Sequence, residues 1–295
     1  MSLLSNSLSH FSLLLPSVLL ASAVSAAETD FDAIQISTTP AAGNITMLQG
    51  SGGNIAVSLG TDGVLMVDDQ FLPLADKIKA AIRDLGGDLP TFLLNTHWHG
   101  DHSGSNEAFA DNSIIIAHDN VRVRLGAPDS ERAPESMPVI TYADGLSIHF
   151  NGEAIRLIHM PTGHTDGDTV VWFTGSNVIH LGDDYVSTGF PFVDLTSGGN
   201  VAGLIGNHET LLAQLPDNIT IIPGHGNLAT KAQFAEWVAM VKTTATIVVD
   251  KIAAGKSLDE ILVEALPAEY APWGTGFISE AAWITAIYKS TTAQP

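Results

Sequence analysis

Six consecutive residues, His97 to His102 in "HWHGDH", hold three of the chain's eleven histidines together with Asp101, and no other feature narrows the possible folds as far. His97 and His99 flank Trp98, so in an extended or tightly turned segment both imidazoles can face the same way. Asp101 and His102 come from the turn that follows. So short a stretch cannot wrap all four side chains around one tetrahedral zinc ion, but it can begin two adjacent metal sites. The chain must then bring further ligands from distant loops, and with no cysteine available they must be nitrogen and oxygen donors. Three candidates stand beside glycine after strand-like runs: His164 in "PTGHTDGD", Asp183 in "HLGDDYV" and His225 in "IPGHG". Glycine there lets the backbone turn closely around an ion.

The periodicity around these motifs is strand-rich first. "NITMLQG", "NIAVSLG" and "GVLMVDD" are short β-type runs separated by Gly, Asn and Asp. Then Leu74, Ile78, Ala81, Ile82 and Leu85 share one helical stripe that ends in glycine. "TFLLNTH" reads as a buried strand, "SNEAFA" as a short helix capped by Ser105 or Asn106, and "SIIIAH" as another strand. From Ala154 to Val186 the runs "AIRLIHM", "DTVVWFT" and "NVIHLGD" are strands again, with a turn at Gly175-Ser176-Asn177. The helix "VAGLIGNHETLLAQL", the strand "ITIIPGH" and one long helix follow. Two successive blocks of strands and helices predict two sheets packed face to face with helices outside, in a single domain over residues 28–295, with the site at loops that end the strands.

In this order, "HWHGDH", "GHTDGD", "LGDD" and "PGHG" resemble the metallo-β-lactamase superfamily, and "GVLMVDD" resembles the early strand that ends in its supporting aspartate. The resemblance runs from about Asn44 to the helix after His225. It implies an α/β (α+β) chain folded as an αββα sandwich, with two mixed β-sheets face to face and helices outside. It also implies two Zn2+ ions per chain, the first on His97, His99 and His164, the second on Asp101, His102 and His225. Asp183 would bridge them, with Asp184 as the alternative. Manganese or iron would suit the same donors. Asp68 would orient the ligand loop, unless it is only a polar residue ending a strand. The implied chemistry is attack on a carbonyl by water activated between two metal ions, with Asp101 orienting that water.

Substrate and location are expectations of a coarser kind. Residues 1–27 contain no acid, Lys or Arg, and the apolar run Leu13–Ala23 is interrupted by Pro16 and followed by small residues. They read as a signal peptide despite lacking a basic leader, so the chain is expected to be secreted or periplasmic and free of the membrane after cleavage. A formal charge of −20 disfavours nucleic acid and leaves a small molecule as the expected partner. Export and motif spacing look like the lactamase branch. The best-known lactamases of that branch, however, carry cysteine where this chain has Asp183, and a carboxylate-binding lysine where it has Val186. Ser187 and Thr188 could hydrogen-bond a substrate carboxylate, and Asn200 could donate to an oxyanion, although loop-turn roles suit all three. Hydrolysis of a β-lactam and of a lactone, thioester or aryl ester stand side by side. A secreted binding protein stapled by metal is the non-catalytic alternative. His118, His149, His159, His180 and His208 are expected to be structural. Tyr185, Phe190, Pro191 and Phe192 offer an apolar wall beside Asp183.

Overall fold

In the computed structural model, residues 29–128 and 130–293 are described; the signal-peptide reading falls on residues 1–27, outside them. The first sheet has seven strands in sequence order: β1 (Ser37–Ala42), β2 (Ile45–Gln49), β3 (Ile55–Gly60), β4 (Gly63–Val67), β5 (Phe92–Leu94), β6 (Ile114–His118) and β7 (Ile140–Tyr142). Its first four strands are antiparallel and the last three continue parallel to β4. The second sheet holds β8 (Gly145–Phe150), β9 (Glu153–His159), β10 (Thr169–Phe173), β11 (Val178–His180), β12 (Thr220–Ile222) and β13 (Ala229–Thr230), in the reverse of that order. It is mixed as well, since β11 and β12 run parallel.

The strands read as nearly unbroken apolar runs because both of their faces are covered. In β4, Leu65 and Val67 join Ile45, Met47 and Leu94 in a layer that meets Leu157, Val171, Phe173 and Ile222 of the other sheet. Val64 and Met66 point the opposite way, onto α1 (Ala75–Asp84), where Ile78 and Ile82 form the buried stripe. Two very short helices, α2 (Gly100–Ser103) and α3 (Asn106–Phe109), and the longer α4 (Asp119–Leu125) belong to the same half. The outer face of the second sheet is covered by α5 (Val201–Gln214), α6 (Lys231–Ala253), α7 (Leu258–Glu264) and α8 (Glu280–Thr292), through Leu204, Phe234, Trp237, Ile261 and Trp283. The order is thus helix, sheet, sheet, helix, as the sequence leads one to expect. Burying each of these large side chains contributes roughly 1.5–3 kcal/mol.

Two local findings differ from the sequence reading. The second block begins at Gly145, not Ala154, because β8 precedes the first strand recognised there. Ser105 sits at the start of α3, but its side chain makes no cap hydrogen bond; instead its backbone N–H donates to Asp69 (2.8 Å). The C-terminal helix does cover the core: the Trp283 indole N–H donates to Thr244 on α6 (2.9 Å). Among the described residues no helix is long and apolar enough to cross a membrane.

Candidate metal centre

Every expected ligand stands at or just beyond the end of a strand. His97 and His99 follow β5, Asp101 and His102 lie in the single turn of α2, and His164 sits in the loop between β9 and β10. Asp183 follows β11 and His225 follows β12. The structure brings all seven side chains into two groups, His97, His99, His164 and Asp183 in one, Asp101, His102 and His225 in the other. In the first, His99 Nδ1 is 3.1 Å from His97 Nε2 and 2.9 Å from His164 Nε2. In the second, His225 Nε2 lies 3.3 Å from His102 Nε2 and 3.3 Å from Asp101 Oδ2.

Donors held about 2.0–2.1 Å from a tetrahedral ion are roughly 3.3 Å from one another, so both groups already have the spacing that such an ion requires. Asp183 joins them. Its Oδ1 is 3.1 Å from His102 Nε2 and 3.3 Å from His225 Nε2, whereas its Oδ2 faces His164 Nε2 at 3.8 Å. Oδ1 is buried without a well-directed hydrogen bond, as expected of an oxygen whose lone pairs await a cation. Asp184, the alternative bridge, is buried with neither carboxyl oxygen hydrogen-bonded. Burial and the neighbouring Asp168 push its carboxyl well up.

The remaining ring nitrogens fix the tautomers. His102 Nδ1 is 2.7 Å from Asp68 Oδ2, His164 Nδ1 is 2.8 Å from the Phe192 carbonyl, and His99 Nε2 is 3.1 Å from Asp194 Oδ2. Thr96 donates its hydroxyl to Asp68 (2.7 Å) and therefore accepts from His97 Nδ1 (3.0 Å). Each of these four imidazoles sets one ring nitrogen against an acceptor and turns the other inward, the orientation a metal ligand needs once the inward nitrogen is deprotonated. Asp68 also receives the Thr96 N–H at 2.7 Å and has a left-handed backbone (φ 61°), a conformation aspartate tolerates better than most residues. Two glycines let the loops close around the ligands. A Cβ at Gly53 would collide with the His102 ring, and one at Gly224 with Asp183 Oδ1.

The charges fit the same purpose. Burial holds His97 well below the usual imidazole range and lowers His99, keeping both neutral. Burial also lowers His102 and His225, but the facing carboxylates outweigh it. Asp183, Asp101 and Asp68 push His102 well up, and Asp183 with Asp101 push His225 up to about 9. Burial raises Asp183, yet His102 and His225 pull it well below the carboxylate range. The same carboxylates that raise these two imidazoles attract a cation, and metal binding there competes with protons.

Sequence reasoning missed Asp194 and Thr96. Asp194 had a faint signal, an aspartate followed two and three residues later by Thr196 and Ser197, whose N–H groups its Oδ1 accepts. Because Oδ1 is engaged in that turn, Asp194→Asn would aim its new NH2 at the His99 N–H. We expect that variant to bind metal about 10–100-fold more weakly at the first group, measured by competition with a chromogenic chelator. Two expected substrate contacts fall elsewhere. Asn200 caps α5, its Oδ1 accepting from Gly203 N (3.0 Å), and it lines a groove between α5, α6 and α8. The Ser187 hydroxyl accepts from Asn227 N (3.1 Å) and braces the His225 loop. Thr188 does line the cavity beside Asp101 and His225. Trp98 packs against Ala117, Val121 and Leu125. His180 hydrogen-bonds the Asn54 carbonyl (2.9 Å), and His118 stacks on His159 at 3.7 Å.

Seven nitrogen and oxygen donors gathered between the loops of two sheets form two groups that could each hold a metal ion. The sequence profile of the metallo-β-lactamase superfamily matches residues 38–225, and the chain belongs to that superfamily. Among curated proteins it is 35% identical over 117 residues to a hydroxyacylglutathione hydrolase of Rhodospirillum rubrum, covering 39% of this chain and 41% of that one. It is 29% identical over 155 residues to an atrochrysone carboxyl ACP thioesterase of Aspergillus terreus, covering 52% and 44%. The chain thus spans less than half the length of these two relatives. Solved structures share the fold: a metallo-β-lactamase from Pontibacter korlensis (TM-score 0.60, 14% identity, 70% of this chain and 99% of that one) and a sec-alkylsulfatase from Pseudomonas sp. (TM-score 0.69, 12% identity, 84% and 49%).

Proposed function

We propose that this protein is a hydrolase that holds two metal ions, zinc first among the candidates, and cleaves a small-molecule ester or thioester. The observation that carries the reading is Asp183, whose two oxygens face opposite ligand groups while Val186 stands three residues on. The curated relatives named above, a hydroxyacylglutathione hydrolase and a thioesterase, support an acyl-transfer substrate over a β-lactam. Divalent ions bound here supply Lewis acidity toward a carbonyl oxygen and make water more acidic.

The chain's own groups do the rest. His97, His99 and His164 turn ring nitrogens toward one another on one side. Asp183 supplies the shared negative charge. Asp101 lines the cavity, and although burial raises its carboxyl, His102 and His225 keep it below the usual range. It is therefore an ionised acceptor at the edge of the substrate space, placed to orient an attacking water and take up its proton. Export of the chain, supported by the apolar uncharged leader, would place this chemistry outside the cytoplasm.

The test is a substrate panel on the zinc-loaded protein: an aryl ester, a thioester, a γ-lactone and a chromogenic cephalosporin. We expect kcat/KM for an ester or thioester to exceed that for the cephalosporin by about 100-fold or more. Rapid cephalosporin turnover with inert esters would overturn the reading.

A further inference from the structure

A cavity of about 290 Å³ opens beside the second ligand group, with Asp101 and His225 at its floor. Its walls are Val186, Phe192, Phe277 and Ile278, and no Lys or Arg lines it. At about 30 Å³ per molecule of liquid water, it has room for about ten waters, or a group of similar atom count. Phe277 is 91% exposed and Phe192 42% exposed, and their rings meet edge to face at 6.4 Å. A phenylalanine left almost wholly in water beside a second half-covered ring forms an apolar surface with nothing packed on it, at the entrance to reactive groups.

The wall is positioned, not loose. The Phe190 N–H donates to the Trp273 carbonyl (3.1 Å), tying the loop after Asp183 to the segment that carries Phe277 and Ile278. Phe192 is fixed from the other side, because its carbonyl accepts from the ligand His164. Residues 277 and 278 lie beyond the stretch matched by the superfamily profile, residues 38–225. The groove that also borders Phe192, against α8, does carry Lys289, but that side chain does not line the cavity.

We propose that this cavity is the acyl subsite of the esterase or thioesterase reading above, on which the inference rests, and that it selects an uncharged aryl or short alkyl acyl group. A carboxylate placed against the Val186, Phe192, Phe277 and Ile278 wall would lose hydration with no Lys or Arg there to pair with. An acyl group that ends in a carboxylate is disfavoured for that reason.

Two measurements on the full chain separate this proposal from the reaction it serves. With zinc-loaded protein, p-nitrophenyl 4-phenylbutanoate should be cleaved with about tenfold or greater kcat/KM over the p-nitrophenyl monoester of adipic acid. Phe192→Ala and Phe277→Ala should each cut the phenylbutanoate-to-acetate ratio about tenfold, and Ile278→Lys should move the preference toward the adipate ester. Without metal, 4-phenylbutan-2-one should give saturable NMR shifts at the methyl groups of Ile278 and Val186, lost in the Phe192→Ala/Phe277→Ala double variant. Preference for the adipate ester, or no methyl shifts, would overturn the subsite while leaving ester hydrolysis intact. Methyl shifts without turnover of any ester would overturn the reaction and uphold the apolar subsite.

Discussion

Asp183→Asn should lower kcat/KM by about 10³-fold or more while leaving the far-UV circular dichroism spectrum unchanged. Asparagine keeps the shape of the side chain but replaces one oxygen with a hydrogen-bond donor. Oδ1 now sits 3.1 and 3.3 Å from two inward-facing imidazole nitrogens, and Oδ2 faces a third. Either orientation of the amide therefore points N–H groups at lone pairs meant for a cation. The variant also deletes the shared negative charge between the two groups. A loss of several kcal/mol of metal-assisted charge stabilisation corresponds to that rate effect at 1.36 kcal/mol per tenfold. The apolar layers on both faces of the two sheets do not include Asp183, so the fold should persist. Steady-state kinetics with metal analysis on the same sample decide it. Activity within tenfold of the parent would show that Asp183 does not join the two groups.

Much of this was legible in the chain because burial on both faces writes strands as continuous apolar runs. "GVLMVDD" and "DTVVWFT" correspond to β4 and β10, each contributing side chains to two cores. β1 was harder to read, since an edge strand of sequence STTPAA has no large apolar side chain. β8 alternates, with Leu146, Ile148 and Phe150 facing the inter-sheet layer, but its exposed partners gave it the look of a loop. The seven metal-centre residues were legible because their chemistry permits few substitutes for imidazole and carboxylate. Residues that act on the ligands from behind were not. Asp194 and Thr96 depend on which ring nitrogen they meet, and that distance exists only after loops remote in sequence converge. Asn200 takes the loop-turn role that the sequence left open, because an asparagine before a helix is first a cap, and here its oxygen is used as one. The apolar wall was only half visible: Phe192 stood beside Asp183 in the sequence, whereas Phe277 arrives from a distant C-terminal segment.

Removing the metal should have an effect as large as Asp183→Asn, and it addresses the convergence of the seven side chains directly. In the metal-free chain the Asp101 and Asp183 carboxylates still face His102 and His225 at 3.1–3.7 Å, so depletion should leave the fold in place. Turnover should fall below detection, because Asp101 alone has no means to polarise a carbonyl. The decisive measurement is a zinc titration of the chelator-stripped full chain, with bound metal counted by mass spectrometry after desalting and turnover read at each point. Two equivalents should be retained, with activity rising as they bind, and His102→Ala should retain only about one. Retention of no zinc, or full activity in the stripped protein, would contradict a paired-metal site at these residues.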